Sequence, residues 1–217
     1  MRTSGLVLDE KPQVSSVTPT RLYDQSRYGN HGTWTAITPV RLPSGLWVNS
    51  FNGTTSYIQI PDSNILQPLI ISVFAWVNLT SLAAVSQAIL SKWGAVGNMS
   101  WMLNIDTGTQ TLNIVISRDG TANLAASQNY TPLAGWNFCA GVFNGVNEVA
   151  YVNAVPGGAQ GCVGTIFQST ANVQIGAEDG WAFPILGMIA LSRVYKYALT
   201  ASQIFTIYQA ERGFFGV

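Results

Sequence analysis

Two sets of residues in this chain have the types and spacing to do chemistry. The stretch YDQSRYGNHGTW, residues 23 to 34, gathers an acid, amides, a base, glycines and the only histidine. Such a set can be a metal cage, a catalytic corner or a loop that turns the chain. His31 has no second histidine with which to share a metal, and Cys139 and Cys162 stand far along the chain. Asp24 and Ser26 carry short polar side chains that bond nearby backbone and tighten a turn. Gly29 and Gly32 supply backbone geometry that other residues resist. The stretch is therefore expected to be a turn first.

The second set suits sugar. An aromatic face shields the apolar C–H groups of a pyranose ring while amides and acids bond its hydroxyls. Trp93, Asn98, Trp101, Asp179 and Trp181 lie in or beside loop-like segments and make the candidate glycan surface. Trp76 and Trp136 sit inside strand-like runs and are expected in the core. Catalysis has no comparable set. Glycoside hydrolysis needs two carboxyl groups facing one bond, and the 10 acids form no such run. A Ser-His-Asp site would have to use His31, and no Gly-x-Ser-x-Gly elbow is present. The chain is not expected to be an enzyme.

The elements that must position these residues are written in a low-charge sequence. Of 217 residues, 9% are charged and 47% apolar, against roughly 25% charged in ordinary globular proteins. Either a large core carries a surface of Ser, Thr, Asn and Gln, or part of an apolar face is covered by other copies of the chain. Ten basic residues balance ten acidic ones, so no field draws nucleic acid or anionic lipid. The longest apolar run, PLIISVFAWV, falls far short of the ~20 residues of a membrane span. The opening MRTSGLVLDE has neither the apolar core nor the cleavage site of a secretory leader, so export by the general route is not expected. Two cysteines are too few for a disulfide scaffold; whether they pair is left open.

Short strand-like runs alternate with turn signals nearly throughout, as in a sandwich or barrel. SYIQI alternates until Pro61, ISVFAWVNL is β-branched and aromatic, and Asp119-Gly120 and Asn144-Gly145 mark hairpins. One helix is predicted near the end. Thr200 caps it with Gln203 as the reciprocal partner, Ile204, Ile207 and Tyr208 share a face, and Gly213 stops it. The FFGV that follows is apolar, and Phe214, Phe215 and Val217 are the candidate interface, buried on the parent domain or on an adjacent subunit.

GLVL, YDQSRYGNHGT, SFNGTTSYIQIPDS, ISVFAWVNLTS, ILSKWG, GWNFCAGVFNG, YVNA, VQIGA and GMIALSRVYKYALTASQI follow one another in the order seen in laminin-G-like domains. By this resemblance residues 1–217 form a single domain of the concanavalin A-like jelly rolls, related to pentraxins. It implies an all-β sandwich of two antiparallel sheets with one short C-terminal helix. Many such relatives hold calcium through six to eight oxygen ligands. The Gly-x-Ile-Asp-Glu expected before the final helix reads Gly187, Met188, Ile189, Ala190 and Leu191, so both carboxylates are missing there. The resemblance leaves Asp24 and Asn30 as calcium candidates. Glu178, in EDGW, matches one acid of the pentraxin calcium loop. The preferred reading is a structural or assembly protein, on a virus particle or another extracellular assembly, partnered by itself or other subunits. The competing reading is a lectin-like module that binds glycan, with calcium as a possible cofactor.

Overall fold

The computed structural model describes residues 5–11, 21–81, 86–106, 108–129, 135–180 and 182–217. In chain order the strands are β1 (Leu6–Lys11), β2 (Arg21–Asp24), β3 (Gly32–Thr35), β4 (Thr38–Arg41), β5 (Trp47–Asn52), β6 (Tyr57–Ile60), β7 (Ile71–Leu79), β8 (Gln87–Trp93) and β9 (Met99–Asp106). There follow β10 (Thr111–Ile116), β11 (Leu124–Asn129), β12 (Asn137–Phe143), β13 (Asn147–Val152), β14 (Val155–Pro156), β15 (Gln160–Gly161), β16 (Val173–Ile175) and β17 (Leu186–Tyr195), then helix α1 (Ala201–Phe215). All strand pairings are antiparallel. In the first sheet β17 pairs with β7 on one side and with β1 and β5 on the other, and β12 and β13 continue beyond β7. In the second, β3, β6, β16, β8, β9, β10 and β11 lie side by side. Strand β2 belongs to both, pairing with β1 and with β3.

The residue pattern of each strand follows from what covers it. In β7, Val73, Ala75 and Val77 enter the core between the sheets, while Phe74 and Trp76 point the other way, beneath the helix. In β12, Cys139 and Phe143 go inward, and Phe138, Ala140 and Val142 face the helix layer. These strands are apolar on both faces because both faces are buried. The second sheet differs. Trp101, Leu103 and Ile105 of β9 fill the core, but Met102 and Asn104 turn to the outer side, where no described helix lies. At the centre the sheets approach so closely that a Cβ on Gly141 would sit 2.7 Å from that of Ile114. The two cysteines are unpaired and buried.

Helix α1 starts as the sequence predicts. The Thr200 hydroxyl accepts the Gln203 N–H and the Gln203 side chain accepts the Thr200 N–H, a complete capping box. It does not stop at Gly213. It runs to Phe215, with Gly216 as a left-handed cap at φ 73°. The reason is packing: the Phe215 ring stacks on Trp76 with centroids 4.2 Å apart and tilts against Trp136 at 4.7 Å, which holds the last turn in place. This corrects the expected interface. Phe215 belongs to the parent domain's own core, whereas Phe214 and Val217 are 50% and 42% exposed.

Glu211, buried under the helix, accepts the Trp76 indole N–H at 2.8 Å and pairs with Arg193. Arg193 also donates to Asp9 of β1 at 2.8 Å. We expect Phe215→Ala to lower stability by about 3 kcal/mol, the usual range for emptying a buried phenylalanine site. Phe214→Ala should change it by less than ~0.5 kcal/mol, as exposed positions do. Thermal and urea unfolding of the two variants measure the difference.

Candidate functional site

The turn that opens β3 is built around one carboxylate. Asp24 Oδ1 accepts the N–H groups of Asp9 at 3.0 Å and Ser26 at 2.8 Å. Its Oδ2 accepts the Ser26 hydroxyl at 2.6 Å and the Asn30 N–H at 2.8 Å. Asn30 in turn donates to the Val7 carbonyl and accepts from Ser63. His31 Nδ1 accepts the Asp24 N–H at 3.0 Å. Asp24 therefore spends its oxygens on the turn and on β1, and Asn30 Oδ1 accepts from Ser63, so the pair does not fit the calcium ligand set that the resemblance implies. Glu178 is not among their partners. Among the described residues no three His, Cys, Asp or Glu side chains gather as a metal group.

Beside this turn lies a costly group. Glu10 stands directly opposite Asp24 in the β1–β2 pair, is 1% exposed, and neither of its carboxyl oxygens has a hydrogen-bond partner. Burial, then the charges of Asp24 and Asp9, holds its carboxyl well above the usual range.

The outer face of the second sheet carries a cavity of about 670 Å³. Its floor is Trp93, Met102 and Val115, from β8, β9 and β10, and Asn104 and Asn113 stand beside them. Strand alternation explains Met102, Asn104, Asn113 and Val115, each between neighbours that point into the core. Trp93 ends β8 where the pairing with β9 shifts register. One wall is the segment 176–185, tied by a Gly176–Ile185 backbone bond of 2.9 Å and a Glu178–Ala182 bond of 3.0 Å. It presents Glu178 and Phe183 to the cavity. Phe183 is held at φ 53°, a conformation that costs a bulky residue energy, and its carbonyl accepts the Ala88 N–H at 2.8 Å. The strain leaves its ring 36% exposed at the mouth.

Polar satisfaction inside the cavity is uneven. Asn113 Oδ1 accepts the hydroxyls of Ser127 at 2.6 Å and Thr111 at 3.2 Å. Asn104, opposite Asn113 across the β9–β10 pair, is 5% exposed and its Oδ1 has no partner. The Glu178 carboxyl has no ion-pair partner among the described residues, and burial pushes it up to about 7.

Of the residues proposed for sugar, the structure brings only Trp93 to this cavity, where Glu178, proposed for metal, joins it. Trp101 is wholly buried between the sheets and offers no face to a ligand. Asn98 Oδ1 accepts from Ser169 at 2.8 Å and the Thr170 N–H at 2.9 Å, fastening one loop to another. Asp179 accepts the Asn172 N–H at 2.9 Å and the Gln174 amide at 3.3 Å, which seats the wall segment. Trp181 lies outside the described residues. Met102, Asn104, Asn113 and Phe183 were missed, although the alternation in MSWMLNID and TLNIVI marks the first three as facing away from the core.

Over residues 52–205 the chain matches the family profile of the Concanavalin A-like lectin/glucanases superfamily. Solved structures share the fold. The binding domain of botulinum neurotoxin DC, solved in complex with rat synaptotagmin II, superposes with a TM-score of 0.72 at 11% identity, over 96% of this chain and 52% of that one. The binding domain of botulinum neurotoxin serotype D gives 0.73 at 13% identity, over 96% and 52%. A botulinum neurotoxin type C structure, whose cell entry depends on interaction with two ganglioside molecules, gives 0.70 at 10% identity, over 96% and 51%. The chain thus spans about half the length of these structures. No curated protein matches it by sequence.

Glu10 gives this region a pH signature. Its pKa is raised on folding, so the folded state holds the proton as pH climbs past the unfolded value of 4.5, and stability falls as pH rises above that value. Glu10→Gln should remove this loss. Urea unfolding from pH 4 to 8 should show the variant gaining on the parent as pH rises; parallel curves would contradict the assignment.

Proposed function

We propose that this chain, which belongs to the Concanavalin A-like lectin/glucanases superfamily, is a non-catalytic module that binds a sugar ring in the cavity on the outer face of its second sheet. One observation carries the reading: a cavity of about 670 Å³ sets the half-buried Glu178 carboxyl and the exposed Phe183 over an apolar floor, with the amides of Asn104 and Asn113 in its lining. Phe183 gives an exposed ring at the mouth, Trp93, Met102 and Val115 give an apolar floor, and the volume suits one or two rings. Of the toxin structures that share the fold, one is solved in complex with rat synaptotagmin II and another belongs to a toxin whose cell entry depends on two ganglioside molecules, which supports recognition as a use of the fold. A site of this kind works where glycans are displayed, on the outside of a cell or particle.

A specific observation also favours assembly. Phe205, Phe214 and Val217 are exposed on or just beyond the helix, and Phe214 lines a cavity of about 290 Å³ with Leu42, Pro43 and Trp136. That face lies across the sandwich from the sugar cavity, so one copy can bind and associate at once, as a surface subunit of a virus particle would. Sedimentation at micromolar concentration tests it: oligomers that fall apart on Phe214→Ser with Val217→Ser support it, and a monomer at all concentrations removes it.

For the sugar site, titration of neutral mono- and disaccharides into ¹⁵N-labelled protein should shift amides of β9, β10 and the 176–185 segment. Asn104→Ala should weaken binding by roughly tenfold, about 1.4 kcal/mol, because it removes an amide from the cavity lining. Phe183→Ala should weaken it similarly. Shifts confined to other surfaces would refute the site.

A further inference from the structure

We propose, resting on the reading of this cavity as a sugar site, that it selects by charge: amino sugars are held above neutral hexoses, and acidic sugars are refused. The Glu178 carboxyl lines the cavity with no partner among the described residues, while Asn113 Oδ1 already receives two hydroxyls. A ligand donor placed there is met first by Glu178.

Glu178 is also the one ionisable side chain among the lining residues. The residues contributed by β8, β9, β10, β11 and the 94–96 loop are tryptophan, methionines, asparagines, valines, alanines and a glycine. The neighbouring charges are engaged elsewhere. Asp179 turns its carboxylate to Asn172 and Gln174, and the Lys92 ammonium, wholly buried, donates to Asp62 and to the Ala171 carbonyl. Among the described lining residues no cation is present to receive an acidic sugar, and its carboxylate would be placed beside Glu178 in a partly dehydrated cavity. An ammonium placed there forms a charge-assisted hydrogen bond, the strongest contact this lining can offer.

Burial that pushes Glu178 up to about 7 adds a pH dependence. Above that value the carboxylate is charged and repels an acid; below it the group is neutral and the repulsion fades. The carboxylate of a sialic acid stays ionised across this range, so the change reports on Glu178.

Two matched pairs test the inference by calorimetric or NMR titration: glucosamine against glucose, and 3′-sialyllactose against lactose. At pH 7.5 we expect glucosamine to bind several-fold tighter than glucose, and sialyllactose about tenfold weaker than lactose. At pH 6 the second gap should narrow. Glu178→Gln, nearly the same shape, should bring both pairs within about twofold at either pH while still binding lactose. If sialyllactose matches lactose and Glu178→Gln changes neither pair, charge selection is wrong and the sugar site stands. If no sugar in either pair binds, the sugar site fails and selection fails with it.

Discussion

The contact between Glu211 and Trp76 fixes which face of the protein is free. The carboxylate lies beneath the helix, takes the indole N–H at 2.8 Å and pairs with Arg193, which reaches on to Asp9 in β1. A buried carboxylate is tolerated only with such partners, and removing one would strand the rest. Helix, first strand, last strand and the centre of the first sheet are thereby joined in a single polar knot inside an aromatic layer. The stacking of Phe215 on Trp76 completes the cover. Because the only α-helix among the described residues is committed to the first sheet, no described helix covers the outer face of the second. The cavity is a consequence of that asymmetry.

Within the protein, polar groups follow two different economies of structure. At the turn around Asp24, four donors converge on one carboxylate and nothing is left over. At Glu178 a half-buried carboxyl is held in the cavity lining with no partner among the described residues. The first arrangement shapes the chain. The second is what a surface built to meet another molecule has, because pairing must be completed from outside. Glu10 is a third kind: its oxygens lack partners too, but burial and the charges of Asp24 and Asp9 hold its carboxyl well above the usual range.

Much of the fold was legible because strand patterning reports what covers each face. The double-sided apolar character of ISVFAWVNL and NFCAGVF marks strands buried on both sides, and the capping box at Thr200 and Gln203 marks the helix start to the residue. The helix end was not legible from Gly213, since the deciding contact, Phe215 on Trp76, joins residues far apart in sequence. The same limit governs the site. Trp101 and Trp93 both flank the same loop, yet strand alternation sends Trp101 to the core, while Trp93, at the register shift that ends β8, lies at the cavity. Asn98 and Asp179 have the residue types of a binding surface but spend them on loop-to-loop bonds that only the folded chain reveals. The Phe183 ring owes its place to a positive φ, for which a phenylalanine gives no advance sign.

The pairing of β1 with β17 brings Leu6 opposite Tyr195. Synthesis delivers these strands nearly the whole chain apart, and the covering helix only after them. Until then the first strand has only β2 to join, and Phe74, Trp76 and Phe138 stand bare on a sheet still being assembled. Such high contact order makes for slow folding. It also makes the nascent chain a client for holding factors, with its greatest tendency to aggregate falling just before the helix docks.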